Sequence, residues 1–214
     1  MEYFSYKKKL EEKINLKDNF HMIESLKKIN EVINPNEKNN LIEFENNKKD
    51  IISIVKLLKD DNKLFFSQLL DITAVDYPSR EFRFDIVYIL QSLKKNKKIL
   101  IKTKIRENDK VESITAIHKA ADWYERECYD LFGIEFNNHP DLRRIMTDYN
   151  FEGYPLRKDF PLTGHTEVRY DDLEKKVIYE PVKLSQEFRN FDSESPWEGM
   201  ENKLFGDEKS QNKD

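Results

Sequence analysis

Two carboxylates three residues apart, Glu127 and Asp130, lie in the segment ADWYERECYDLFG. On a 3.6-residue repeat they share a helix face with Trp123, flanked by Tyr124 and Leu131, while Glu125, Arg126 and Tyr129 point elsewhere. Two chemistries suit such a face. Adjacent carboxylates drive each other's pKa values apart, which lets one act as acid and the other as base. Alternatively, the acids pair with arginines that follow in the chain or sit on a partner, and so fix the path of the C-terminal segment. Pairing is favoured, because six arginines occur between Arg126 and Arg189. The planar guanidinium fork suits partly buried carboxylates better than lysine does. A free-standing soluble acid–base enzyme using Glu127 and Asp130 is the alternative.

Other chemistry finds little footing. His21, His118, His139 and His165 are far apart and lack zinc-site spacing. His139, before Pro140, reads as a turn or interface residue, and Arg143-Arg144 as partners for acids across an interface. The single cysteine, Cys128, excludes an intrachain disulfide and a four-thiolate iron–sulfur cluster. No GxGxxG or Walker pattern occurs, and no Ser or Cys has a nucleophile's context. No catalytic, cofactor-binding or metal residue is therefore expected in this chain. A net charge of −4 with alternating signs argues against nucleic acid. The lysine clusters Lys7–Lys9 and Lys94–Lys98 read as solvated loops. No run approaches the roughly 20 apolar residues that cross a bilayer. The opening MEYFSYKKKLEEK has no apolar h-region and is too acidic for a typical transit peptide. Membrane association is thus expected only through partners.

The elements that must position these residues follow from capping and periodicity. Asp122 is a good N-cap for the acidic helix, and Gly133 stands where a left-handed C′ residue belongs. Upstream, Leu16, Phe20, Ile23, Leu26 and Ile29–Ile33 recur at helical spacing. Leu41–Glu45 reads as a short strand, and Asp50 as the cap of a helix through Ile51, Ile54, Val55 and Leu58. Leu69–Tyr77, Phe82–Leu93 and Lys98–Arg106 have strand character, and their short connectors PSRE and KKNK make an antiparallel meander. Residues 1–136 are thus expected to form an α+β domain, a two-layer sandwich of a small, mainly antiparallel sheet with helices on one face.

Beyond it the chain changes character. All five glycines and five of the seven prolines lie after residue 132. Residues 137–199 lack periodicity yet carry Phe151, Tyr154, Phe160, Tyr170, Tyr179, Phe188, Phe191 and Trp197, an aromatic density foreign to disordered linkers. An extended, partner-wrapping arm is expected there, ordered by another protein. Residues 200–214 read as a polar, frayed tail.

The segment WYERECYDLFGIEFNNHPDLRRIMTDYNFEGYPLRKDFPL resembles the signature of the thirty-kilodalton subunit family of respiratory complex I, the C-type subunits of NADH-quinone oxidoreductase. The similarity continues through EVRYDDLEKKVIYEP and QEFRNFDSESPWEG, and upstream through DITAVDYPSREFRFDIVYIL, covering roughly residues 69 to 199. The resemblance implies a non-catalytic structural and assembly subunit in the complex's hydrophilic arm, supporting electron transfer from NADH to quinone and proton translocation by the whole. It implies no cofactor in this chain, with flavin and iron–sulfur clusters in partner subunits. The implied neighbours are the forty-nine-kilodalton (D-type) subunit and cluster-bearing hydrophilic-arm subunits. Glu125, Glu127, Asp130, His139, Arg143, Arg144, Arg157, Asp159 and Trp197 are expected at subunit contacts. The implied location is peripheral, on the cytoplasmic side of the cell inner membrane, or alternatively on the matrix side of the mitochondrial inner membrane.

Overall fold

Lys97–Ile105 alternates in burial along its length, whereas Phe84–Tyr88 is buried without a break. The computed structural model describes residues 41–184 except Asn47, together with Glu24, Asn36–Lys38 and Gln186. The helix expected over Leu16–Ile33, the cluster Lys7–Lys9, Trp197 and the tail from residue 200 lie outside the described residues, apart from Glu24, which is helical. Five strands, β1 (Asn36–Lys38), β2 (Leu41–Asn46), β3 (Gln68–Asp76), β4 (Phe84–Ser92) and β5 (Lys97–Ile105), form one sheet in the order β1-β2-β5-β4-β3. The β3-β4-β5 meander is antiparallel, as the short connectors require. β2 instead runs parallel to β5, with Ile42 opposite Ile99 and Phe44 opposite Ile101. A parallel pairing needs a crossover, and the chain from β2 passes through helix α1 (Ile51–Asp60) before the meander begins.

The helices lie on one face. Ile51, Ile54, Val55 and Leu58 of α1 join Ala121, Cys128 and Phe132 of helix α2 (Ala121–Phe132) in one apolar core. The sheet contributes Ile42, Phe44, Ile72, Phe84, Ile86, Tyr88, Leu90, Ile99 and Ile101 to that core. A short parallel pair, β6 (Lys110–Glu112) with β7 (Glu135–Asn137), brackets α2.

Several local expectations need correction. Asp50 occupies the N-cap position of α1 in a helical backbone conformation, and its side chain makes no capping hydrogen bond. α2 starts earlier than its acidic cap predicts: Ala120 is the cap residue and Asp122 sits in the first turn. A carboxylate there still complements the helix dipole. Lys97 belongs to β5 and is buried, so the run Lys94–Lys98 is not wholly a solvated loop.

The chain divides into two compact units, Met1–Gly164 and His165–Asp214. Residues 137–164, expected to open the partner-wrapping arm, belong to the first unit. In the second, β8 (Thr166–Asp171) and β9 (Lys176–Pro181) form an antiparallel hairpin.

Candidate functional site

Helix α2 carries the densest constellation, and its geometry separates the two readings of the acidic stripe. Asp130 is fully buried. Its Oδ2 accepts three consecutive backbone N–H groups, from Ile145 (3.0 Å), Met146 (2.6 Å) and Thr147 (2.9 Å). Its Oδ1 accepts the Thr147 hydroxyl at 2.6 Å. Burial would raise this carboxyl, but the Thr147 hydroxyl and the three amides outweigh burial and hold it below the usual carboxylate range. Such a group stays ionised and its lone pairs are taken. Among the described residues no hydrogen bond or ion pair joins it to Glu127, so the acid–base couple is not formed. Asp130 instead holds the path of the following segment. It does so chiefly through backbone amides, with the Arg144 Nε a more distant 3.7 Å away, rather than through an arginine fork.

The same segment closes over the end of α2. Arg144 donates to the carbonyls of Phe151 (2.9 Å) and Gly153 (2.8 Å), and its guanidinium lies 5.1 Å from the Tyr154 ring centroid. Leu156 N–H reaches the Leu131 carbonyl at 3.1 Å, and Arg157 Nε reaches the Phe132 carbonyl at 2.6 Å. These are carbonyls that a helix leaves unsatisfied, and a cation suits the negative end of its dipole. Gly133 ends the helix in the left-handed region at φ 76°, with its N–H on the Tyr129 carbonyl. Its lack of a side chain has a second use, because a Cβ there would lie 2.6 Å from the Tyr154 ring and 2.7 Å from Arg157.

Arg157 also pairs with Glu107 at 2.6 Å, and Glu107 is shared with Arg83 at 3.2 Å. Arg83 binds Asp76 through two nitrogens at 2.8 and 3.0 Å and Asp159 at 2.9 Å. The buried Asp76 further accepts the Lys158 N–H at 2.7 Å. Burial opposes ionisation of Asp76, yet its bonds to Arg83 and Lys158 keep the carboxyl below its ordinary value. One network thus ties the ends of β3, β4 and β5 to residues 157–159.

Glu125 is the residue whose role the helical wheel concealed. It does not point outward; with Ala121, Cys128 and Phe132 it lies on the inner stripe and is fully buried. Its Oε1 accepts the Ile114 N–H at 2.8 Å, and Oε2 has no hydrogen-bond partner among the described residues. The His139 ring is likewise buried, and its Nδ1 accepts the Asp141 N–H at 3.1 Å. The proton of the neutral ring is therefore assigned to Nε2. That nitrogen lies 3.2 Å from the Asp122 carbonyl oxygen and 3.8 Å from Glu125 Oε2. Burial pushes the Glu125 carboxyl up to about 7, against hydrogen bonds from Ser113 and Ile114, and the Asp122 charge adds to the rise. The spacing Ala121, Glu125, Cys128, Phe132 was a legible sign of an inner face. The Cys128 thiol, pushed up by burial, donates to the Ile72 carbonyl at 3.3 Å, as a packed core residue does.

A pH test follows. A carboxyl raised in the folded state stabilises the fold fully below its unfolded value of 4.5 and loses that contribution as pH rises through about 7. The loss is about 3 kcal/mol at 1.36 kcal/mol per unit. Glu125→Gln, which imitates the protonated form, is expected to melt higher than wild type at pH 8 and to converge with it near pH 4.5. Asp76 and Asp130, both lowered, act in the opposite sense: their stabilisation is present above the ordinary carboxylate range and lost in acid. Parallel melting profiles for the two proteins between pH 4.5 and 8 would contradict the assignment.

The remaining expected contact residues differ in what they offer. The buried Glu125, Asp130 and His139 organise the interior. Arg144 and Arg157 are largely covered, and Glu127 is half-buried. Arg143, paired with Asp141 at 3.0 Å, and Asp159 have exposed side chains. Trp123 is 64% exposed, Met146 63% and Tyr149 93%.

The family described as "Respiratory-chain NADH dehydrogenase, 30 Kd subunit" matches residues 44–166. The chain is 58% identical over 163 residues to the C-type subunit of NADH-quinone oxidoreductase from Parvibaculum lavamentivorans, across 76% of this chain and 82% of that protein. It is 57% identical over 162 residues to the protein of the same name in Ruegeria pomeroyi, across 76% and 81% of the two chains. Among solved structures, a chain of the membrane-bound sulfane sulfur reductase, an archaeal respiratory membrane complex, superposes with a TM-score of 0.59 at 25% identity. That match covers 67% of this chain and 86% of the other.

Proposed function

The chain belongs to the respiratory-chain NADH dehydrogenase 30 Kd subunit family, and we propose that it serves its complex as a scaffold rather than as a reaction centre. It is a subunit of NADH-quinone oxidoreductase, not a free enzyme, and the oxidoreductase activity is that of the assembly. The observation that carries the scaffold role is the commitment of Asp130. The helix carboxylate best placed for acid–base work has both oxygens occupied in holding residues 145–147. Flavin and iron–sulfur chemistry, and the coupling to proton translocation, then belong to neighbouring subunits.

Two surfaces suit those neighbours. One is the exposed rim of Trp123, Arg143, Met146 and Tyr149. The other is the β8–β9 hairpin, whose register puts Val168 opposite Tyr179 and Tyr170 opposite Val177 on one face. Val168, Tyr170 and Val177 are each more than half exposed, while Arg169 and Glu180 pair at 3.0 Å on the opposite face. A two-stranded hairpin is marginal alone in water, and an apolar sheet face is stabilised by packing. A subunit of the forty-nine-kilodalton type and the cluster-bearing subunits are the proposed occupants. No helix among the described residues is long and apolar enough to cross a membrane. Attachment is proposed to be peripheral, on the cytoplasmic side of the cell inner membrane, through these partners.

The test is purification through a tag on this chain in mild detergent. NADH-quinone oxidoreductase activity is expected to co-purify, and the separated subunit to oxidise no NADH. Turnover by the separated subunit would contradict the scaffold role.

A further inference from the structure

Arg126 of α2 is a cation without a counter-charge. It is only 8% exposed. Its Nε donates to the Arg143 carbonyl at 3.2 Å, and its guanidinium lies 5.4 Å from the Trp123 ring centroid. Among the described residues its two Nη nitrogens have no acceptor, and no carboxylate forms an ion pair with the group. The acids around it are turned elsewhere. Asp122 and Asp130 stand one helical turn to either side. Asp122 directs its Oδ1 at His139 Nε2, 3.2 Å away, and Asp130 holds residues 145–147. Asp141 pairs with Arg143 at 3.0 Å. The Nη nitrogens also differ from the enclosed, unpartnered oxygens of Asp122 and Glu125, because they are not sealed from the surface. An incoming group can therefore reach them.

A guanidinium held this deep, with donors open to the surface, calls for an anion, since a charge taken from water without a counter-charge is costly. The two Nη groups share one plane and match the two oxygens of a carboxylate in parallel bonds. Trp123 lies beside the guanidinium and is largely exposed. Tryptophan and arginine are the residues in which interface binding energy concentrates. We infer that Arg126 receives an aspartate or glutamate side chain of a neighbouring subunit, with Trp123 packing against the partner surface around it. The inference rests on the reading of the Trp123 and Arg143 rim as a subunit contact. It adds the chemistry of that contact, a carboxylate on a guanidinium, and the residue that makes it.

The experiment compares Arg126→Met and Trp123→Ala in the full chain alone and in the assembled complex. Alone, Arg126→Met keeps an aliphatic stem and removes an unpaired charge, so it is expected to melt near the wild-type temperature. In the complex, the variant subunit is expected to dissociate at least about tenfold faster, as when one partner of a buried charge pair is lost. Arg126→Lys, which keeps the charge and loses the fork, should fall between. Equal destabilisation of Arg126→Met in both settings, or unchanged dissociation, would overturn the inference. Faster release of Trp123→Ala with unchanged release of Arg126→Met would overturn it while leaving the rim as a contact. Unchanged release of both would overturn the rim reading as well. A density map of the wild-type complex gives an answer without any variant. A partner carboxylate within hydrogen-bonding distance of an Arg126 Nη supports the inference; water or a backbone carbonyl only overturns it.

Discussion

Asp130→Ala is expected to destabilise the isolated chain by about 3–5 kcal/mol, the cost of removing one member of a buried, fully satisfied charged constellation. Three backbone amides and a threonine hydroxyl lose their acceptor at once. Each buried donor left unpaired costs about 1–3 kcal/mol, and the loop recovers part of this by turning toward water. Asp130→Asn keeps a carbonyl oxygen and is expected to lose less. Chemical denaturation of the full chain measures both. In cells, the alanine variant should lower the amount of assembled complex far more than the turnover of each complex that does assemble. Normal assembly with abolished turnover would return Asp130 to a catalytic role.

Gly133→Val is expected to be comparably severe for a different reason. The backbone there is left-handed at φ 76°, a conformation that costs a non-glycine residue about 1–3 kcal/mol. The new side chain would also strike the Tyr154 ring and the Arg157 guanidinium, since even a Cβ approaches them to 2.6 and 2.7 Å. Overpacking of that kind costs about 1–3 kcal/mol more. Because Arg157 bonds both the Phe132 carbonyl and Glu107, its displacement uncaps α2 and opens the Arg83 network together. The melting temperature of Gly133→Ala should fall between those of the wild type and the valine variant. Equal melting temperatures for all three would show that Tyr154 and Arg157 do not lie over the helix end.

How much of this was legible depends on where the order comes from. β3, β4 and β5 start and end within two residues of their expected bounds, because alternation and short connectors are local signals. The parallel register of β2 on β5 is not local, and nothing in Leu41–Asn46 alone specifies it. Gly133 was readable as a helix terminator, whereas Asp122 had a capping side chain in the wrong place by two positions. Glu125, set by the helical repeat away from the face of Glu127 and Asp130, shares its spacing with Ala121 and Cys128, and that spacing marks the inward face. Residues 138–160 were the least legible. Their order comes from side chains that bond distant backbone groups, such as Asp130 to residues 145–147 and Arg144 to residues 151 and 153. Such bonds leave no period in the sequence, so the segment reads as an arm in search of a partner. Its first part instead folds onto its own domain.

Amide hydrogen exchange on the full chain, alone and in the assembled complex, tests the scaffold role most directly. Residues 145–157, anchored by Asp130 and by the carbonyls of α2, should exchange slowly in both states, with protection approaching that of β4 and β5. The β8–β9 hairpin should exchange quickly in the isolated chain and slowly in the complex, because its apolar face finds cover only there. A hairpin equally protected in both states, or residues 145–157 unprotected in the isolated chain, would contradict it.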